Sequence, residues 1–411
     1  MAKPFARSYA IRRDKIGTQF KRPRAASQPY EPGAICAAYN WPTGVVVTPL
    51  TIVIAELGGK FYPSDLGPWA TNSGLPVPVV NTYLLPGADD SAGDADAEIA
   101  LDWSMAAAAW SYMTGLPASI LLVYGPNSGA AFADCMNYAN TLPNIGAGSW
   151  SWGSPESQWE AADLAALAAA AQASPYPWCA ASGDNDSNDG TNAPVVDAPA
   201  ASPYVIGCGG TSKPPGGPET VWNDGNGEGT GGGFSKIYQR PTWQPADSQG
   251  NGRMVPDCAA NADPATGYNV PINGQWEVIG GTSAVAPLLA GFLAVVNGAR
   301  LKAGLPMIGL ANALMWGVPS SYLDITSGNN GTYVATTGPD PCSGLGRPLG
   351  TLLSTLSGSG QVPPPPPPKV TQSQFDALMT AAAAAAHNKK IAQIIKEGKN
   401  EVDALFASGA I

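Results

Sequence analysis

Between residues 44 and 304 the chain repeatedly exchanges a short apolar run for a longer alanine-rich one. This alternation limits the fold more than any other feature. "GVVVTPLTIVIAEL" (44–57), "ASILLVYG" (118–125), "GAGSWSWG" (146–153), "WCAASGD" (178–184) and "YVIGCGG" (204–210) have strand composition. "EIALDWSMAAAAWSYM" (98–113), "GAAFADCMNYANTL" (129–142), "SQWEAADLAALAAAAQAS" (157–174) and "TSAVAPLLAGFLAVVNGARLKAG" (282–304) have helix composition. Strands apolar throughout belong in a parallel sheet with helices on both faces. The predicted fold class is therefore α/β, with a mostly parallel central sheet. Reactive groups in such sheets gather at the strand C-termini, and Glu56, Trp152 and Asp184 each end a strand-like run.

Composition divides the 411 residues into four parts. Residues 1–28 form a basic arm with eight Lys/Arg and one acid, expected to be flexible. Residues 29–358 form the globular body. Residues 359–369 include a polyproline linker, stiff and extended, and 370–411 have the apolar spacing of an amphipathic helical tail. Such a tail packs on itself, on the body or on an unknown partner. Residues 29–368 carry 26 acids against eight Lys/Arg, which argues against nucleic-acid binding by the body. That balance suits either work at low pH or plain solubility. No run of about 18 apolar residues marks a membrane span. The six cysteines are scattered without a CxxC pair, so buried free thiols are expected rather than a zinc site or disulfide framework. The basic N-terminus has no apolar segment behind it and makes a poor secretory signal.

Four short stretches carry chemistry. In "GGTSAVAPLLAG" (280–291), Ser283 opens an apolar helix, where backbone N–H groups would steady developing negative charge. The same motif also fits a helix cap. A serine nucleophile needs a base, yet the one histidine, His387, lies in the tail. "EIALD" (98–102) supplies an alternative. Glu98 and Asp102, at i and i+4, share a helix face. Two acids so close tend to keep one proton, and a carboxylate at a hydroxyl can be its base. The spacing alone equally describes a solvated acidic face, although the apolar neighbours suggest burial. In "SGDNDSNDG" (182–190), a protonated Asp184 opposite Ser283 would donate to an oxyanion; a turn with weak Ca²⁺ affinity is the other reading. In "YLDITSGNNGTYVATTGPDPCSGLG" (322–346), Asp324 and Asp340 with nearby carbonyls could cage Ca²⁺, or form an ordinary loop.

Taken in order, E-x-x-x-D, S-G-D, G-T-S and D-I…D resemble the sedolisin family, the serine-carboxyl peptidases. "YEPGAICAAYNWP" (30–42), "IVIAELGG" (52–59), "SWSWGSPE" (149–156), "SPYVIGCGGT" (202–211), "VPDCAANADPATGY" (255–268) and "SGLGRP" (343–348) extend the likeness over roughly 30–353. The resemblance implies a subtilisin-like fold and a peptidase active at acid pH, near pH 3–5 if ordinary carboxylate pKa values set the range. It implies Ser283 as nucleophile, Glu98 as general base, Asp102 as the acid that tunes it, and Asp184 as oxyanion partner. Glu56 and Trp152 match positions that extend the network behind Glu98. It implies one Ca²⁺ held by the Asp324 and Asp340 side chains and the Ile325, Thr336 and Gly338 carbonyls. Thr336 stands where relatives often have Gly, and Pro339 where Trp is common. Substrates would be peptides or unfolded proteins, and secretion would be expected.

Relatives carry a long folded segment ahead of the body. Here a basic segment of 28 residues precedes the body-like start, so the chain has either lost that segment or folds without it. In the second case neutral pH would restrain it. The rival from another class is an idle peptidase-fold scaffold whose tail helix binds a partner.

Overall fold

The computed structural model of the protein describes residues 5–13 and 28–358. The expected polyproline linker and helical tail lie outside the described residues. Arm and body begin with β1 (Arg7–Ser8), β2 (Ile11–Arg12) and α1 (Pro32–Ala38). Then follow β3 (Thr51–Glu56), α2 (Leu66–Ser73), β4 (Val79–Leu84), α3 (Asp96–Thr114), β5 (Ser119–Tyr124) and α4 (Gly129–Asn140). β6 (Ile145–Trp150), β7 (Trp152–Pro155), α5 (Ala161–Gln172), β8 (Trp178–Ala181), β9 (Asp197–Ala198) and β10 (Ile206–Ser212) continue the alternation. β11 (Thr220–Val221), β12 (Gly233–Gln239), β13 (Gly252–Val255), β14 (Cys258–Asn261), β15 (Tyr268–Ile272) and β16 (Gln275–Gly280) lead to α6 (Val285–Lys302).

The expected sheet is present. Its order is β4-β5-β3-β6-β8-β10, with β14 and β11 both paired to β10. Every pairing is parallel except β10 with β11. Ile52 and Ile54 face one apolar layer with α1, α3 and α6, while Val53 and Ala55 face another with α4 and α5. This is the period-two alternation of a strand covered on both faces.

α3 and α6 approach closely because both are built from small residues. A Cβ added at Gly291 of α6 would meet the Ala106 carbonyl oxygen and Ala109 Cβ of α3, each at 2.7 Å. The window Thr282–Lys302 is long and apolar enough to cross a membrane, but 83% of it is buried inside the body. It is a core helix. α3 begins where Asp96 Oδ1 accepts from Gly93 N (2.9 Å) and Lys60 N (2.9 Å), while Oδ2 takes the Tyr62 hydroxyl (2.8 Å). A carboxylate accepting backbone N–H groups at a helix start fixes the entry of the chain. It thereby fixes Glu98, two residues further on in the same turn.

The six cysteines are buried free thiols, as expected. The expectation of a flexible arm is corrected for residues 5–13. β1 runs antiparallel to β7, and β2 antiparallel to β16. Ala6 and Tyr9 are buried, and Phe5 meets Trp159 edge-on at 5.0 Å. Charge pattern misled here. Between its basic residues the segment carries apolar ones that fill a groove in the body.

Candidate active site

The carboxylates, the serine and the tryptophan picked from sequence meet at the C-terminal edge of the sheet. Glu56 ends β3, Ser151 and Trp152 follow β6, and Asp184 follows β8. Glu98 and Asp102 come from the first turns of α3, and Ser283 from a single 3₁₀ turn, Thr282–Ala284, ahead of α6. All are buried.

Behind the serine runs a chain of acids. Trp152 Nε1 donates to Glu56 Oε2 (2.8 Å), and Ser151 Oγ donates to Asp102 Oδ1 (2.8 Å). Burial raises the Glu56 and Asp102 carboxyls well above their ordinary values, and the neighbouring carboxylates raise them further. Both are therefore biased toward their neutral forms. Burial also raises Glu98, but hydrogen bonds from Ser283, from Asp102 and from the backbone at Ala10 and Tyr9 hold it down. Of the three, Glu98 has the most help in carrying charge. Asp102 Oδ2 is buried without a hydrogen-bond partner, and two buried acids that interact so closely tend to keep one proton between them. The Ser283 hydroxyl lies 3.4 Å from the Ser151 carbonyl oxygen. Its contact with Glu98 is looser than a standard hydrogen bond, and Glu98 Oε1 is buried with no close partner. Such contacts tighten when a reacting group fills the site.

Asp184 sits on the other side of the serine. Its Oδ1 accepts from Thr282 N (2.8 Å) and Thr282 Oγ1 (2.7 Å). Its Oδ2 is buried without a partner. Burial raises this carboxyl well above its ordinary value despite the Thr282 bonds. A neutral Asp184 can thus offer a proton from Oδ2. Between Asp184 and the serine lies Gly281, with φ of +109°, a conformation that favours glycine. A Cβ there would stand 2.5 Å from Asp184 Oδ2 and would collide with the Tyr9 carbonyl oxygen.

The arrangement pairs a hydroxyl with an ionisable carboxylate and faces it with a neutral carboxylic acid. Kumamolisin from Bacillus sp. (strain MN-32) is 38% identical over 386 residues, covering 85% of this chain and 68% of that protein. The chain belongs to the sedolisin family of serine-carboxyl peptidases. Xanthomonalisin from Xanthomonas sp. (strain T-22) is 38% identical over 174 residues, 37% of this chain and 21% of that protein. The solved structure of Pseudomonas sedolisin, a serine-carboxyl proteinase complexed with two molecules of pseudo-iodotyrostatin, superposes with a TM-score of 0.70 at 25% identity. That match covers 80% of this chain and 98% of the other. No family model matches the chain. The sedolisin fold explains the parallel sheet, and the protein is a serine-type peptidase.

The second set of residues lies apart from this chemistry, on the loop after β17 (Tyr322–Leu323). Asp324 Oδ2 accepts from Gly338 N (2.8 Å), and Asp340 Oδ2 accepts from Thr336 N (2.9 Å). Both carboxylates therefore converge on residues 336–338. Asp340 Oδ1 takes Cys342 N and Ser343 N, each at 2.9 Å. Asp324 Oδ1 is buried and has no partner, an unsatisfied oxygen of the kind a hard cation takes. Among the described residues no group of three or more His, Cys, Asp or Glu could hold a metal, so ligands here would be two carboxylates with carbonyls.

Sequence reasoning missed three contributors to this sedolisin site. Ser151 bridges Ser283 and Asp102, although it stands beside the Trp152 that was singled out. Thr282 fixes Asp184 through two bonds. Ala10 of the arm donates its N–H to Glu98 Oε2 (2.9 Å). No pattern in the arm's composition points to the cleft.

Proposed function

We propose that Ser283 is the nucleophile, Glu98 its general base and Asp184 the donor to the oxyanion, in a peptidase that works at acid pH on peptides and unfolded proteins. Ser283 Oγ attacks the carbonyl carbon of the scissile bond while Glu98 takes the hydroxyl proton. Asp184 and a backbone N–H stabilise the oxyanion. Glu98 then returns the proton to the leaving amine nitrogen, and an activated water releases the acyl group. Asp102 keeps its proton and tunes Glu98, while Trp152 and Glu56 steady the network behind. The observation that carries the reading is the placement of Glu98 between Ser283 and Asp102, all buried, with Asp184 opposite.

One ionised and three neutral carboxyls define a pH window. Activity falls on the acid side as Glu98 gains a proton and on the alkaline side as Asp184 loses one. Burial raises all four groups, so the window reaches above the range of unperturbed carboxylates. A pH–rate profile on a quenched peptide tests this. Loss of the alkaline limb to a rate that keeps rising past neutral pH would overturn the neutral Asp184.

The loop residues fit one Ca²⁺. Asp324 and Asp340 would supply carboxylate oxygens, and Ile325, Thr336 and Gly338 their carbonyls. When bound, the cation would neutralise the paired charges and tie the loop to the body. It takes no part in the bond-breaking steps. Secretion is part of the same proposal, on the resemblance alone.

A further inference from the structure

The arm shows what the cleft can hold, because it lies there as an extended peptide. Arg7 faces Gly153 and Ser8 faces Trp152 in antiparallel pairing, and Tyr9 N donates to Ser151 O (3.2 Å). Beyond the serine, Ile11 faces Gly280 and Arg12 faces Ile279 on the opposite wall. The reacting groups set the register. Ala10 N is 2.9 Å from Glu98 Oε2. The Tyr9 carbonyl oxygen and Asp184 Oδ2 both lie where a side chain on Gly281 would stand. A substrate bound like the arm presents one peptide bond to Ser283, at the place of Tyr9–Ala10, and the residues ahead of that bond can be counted. Ala6 holds the fourth position before it and Phe5 the fifth.

Both distant positions meet built features. Asn127, on the loop between β5 and α4, grips the backbone of the fourth residue. Its Oδ1 accepts from Ala6 N (2.8 Å) and its Nδ2 donates to Ala6 O (2.9 Å). These bonds go to main-chain groups, so any residue but proline satisfies both. At the fifth position a side chain is read. The Phe5 ring meets Trp159, just ahead of α5, edge-on at 5.0 Å and 75°. Trp159 is held in place on its other sides. Its Nε1 donates to the Ser154 carbonyl (3.3 Å), and its ring rests at 4.7 Å on Phe132 of α4, which rests at 4.3 Å on Trp150 of β6. Phe132 and Trp150 are fully buried. Trp159 thus ends a stack of core rings with a fixed apolar face, and such a face favours another ring or a large aliphatic side chain. The four residues of extended chain between Phe5 and the bond span roughly 13 Å. A substrate that begins only three residues before its cut cannot reach this face.

We propose that Trp159 is the floor of a binding site for an aromatic or large apolar side chain at the fifth residue before the scissile bond, and that the enzyme therefore cuts inside chains instead of trimming short peptides from their amino ends. The proposal deepens the peptidase reading and rests on it. Trp159 lies far from the reacting carbonyl, so its contact with substrate is the same before and during reaction. Binding of that uniform kind lowers KM and leaves kcat alone. Asn127 adds register without selecting a side chain, and Trp159 supplies the selection.

The test gives the full chain a mixture of denatured proteins at acid pH and maps the cut sites by mass spectrometry. The most frequent site is then made as two quenched peptides that differ only in the fifth residue before the cut, Phe or Ala. Aromatic residues and leucine should be enriched at that position, and cuts close to amino ends should be rare. The Phe peptide should be favoured by about two- to tenfold in kcat/KM, the worth of one well-placed aromatic pair, with the difference carried by KM. Trp159→Ala should cut the two peptides equally well, and Trp159→Phe should recover part of the preference. Equal rates on the two peptides in the wild type, or cuts confined to the third bond of each chain, would overturn the inference and leave the peptidase reading standing. That comparison needs no variant, so it decides even where Trp159→Ala fails to fold. A preference that survives in folded Trp159→Ala would also overturn it. If the wild type cuts nothing, the same mixture goes to Arg7→Ala/Tyr9→Gly, whose arm has lost its ion pair with Asp189 and its buried ring. Cut sites from that variant are read in the same way. Silence there as well would sink the catalytic roles and this site with them.

Discussion

The molecule twice brings two carboxylates together, and it satisfies them by opposite means. Glu98 and Asp102 sit one helical turn apart on α3, fully buried against α6. Water is excluded, so the cost of a second charge is too high and a proton is kept between them. Asp324 and Asp340 sit on a loop with exposed neighbours at Thr336 and Thr337. There backbone N–H groups take both oxygens of Asp340 and one of Asp324, and Asp324 Oδ1 is left over. A cation, on the proposed reading, takes what remains. Depth decides which counter-charge a carboxylate pair recruits. On the proposed reading the dry pair serves proton transfer and the loop pair serves as a cation clamp.

Replacing the base breaks the comparison most severely. Glu98→Gln keeps the shape of the dry pair but cannot take a proton. We expect kcat to fall on the order of 10⁴-fold, the scale seen when a member of a catalytic unit is removed. Steady-state hydrolysis of a quenched peptide measures it, and a loss below tenfold would remove Glu98 from that role.

Asp184→Asn asks whether the third buried acid acts as a neutral donor. An amide can donate as a protonated carboxyl does, but it does not titrate. The expected loss in kcat is about 10²-fold from imperfect geometry, and the alkaline limb of the pH profile should flatten. An unchanged alkaline limb in this variant would assign that limb to another group.

The dry pair was far more legible in sequence than its surroundings. The i,i+4 spacing of Glu98 and Asp102 on an alanine-rich helix fixed their shared face, and Ile99, Leu101 and Trp103 announced burial. Strand order placed Glu56, Trp152 and Asp184 at one edge. Ser151, Thr282 and the arm were not legible because their roles depend on backbone direction. Ser151 works through its carbonyl as well as its hydroxyl, Thr282 through its N–H as well as its hydroxyl, and Ala10 through an amide that any residue but proline would offer. Residue identity carries no trace of the backbone part of such roles. The arm's charge pattern pointed to solvent, while its contribution comes from Ala6 and Tyr9, two apolar bodies spaced between the charges.

For the wetter pair the sharpening experiment is removal of the counter-ion. With EGTA present, the proposed clamp loses the stabilisation that ligand binding confers, about 2.7 kcal/mol when calcium stands at 100 times its Kd. A fall of a few degrees in Tm is expected, and Asp324→Ala should remove the response to chelator. An EGTA-independent Tm in the wild type would return the loop to simple hydrogen bonding. The dry pair predicts the contrary, since its partner is a proton and chelation leaves it untouched.

Glu56 offers the smallest and cleanest test of the dry side. Its carboxyl is raised well above its ordinary value, first by burial and then by Glu98, with the Trp152 hydrogen bond opposing. In the unfolded chain it ionises at its ordinary value. The folded state therefore holds a proton that the unfolded state has released. Stability from this group is full below about pH 4.5 and is lost as pH rises toward the folded pKa, at about 1.4 kcal/mol per pH unit. Glu56→Gln accepts the Trp152 N–H equally well and has no proton to lose. The variant should match the wild type in Tm at pH 4 and exceed it by a degree or two at pH 7. A gap that closes at high pH, or that opens at low pH, would mean that Glu56 is the ionised member of the network and that the charge assigned to Glu98 sits one residue further back.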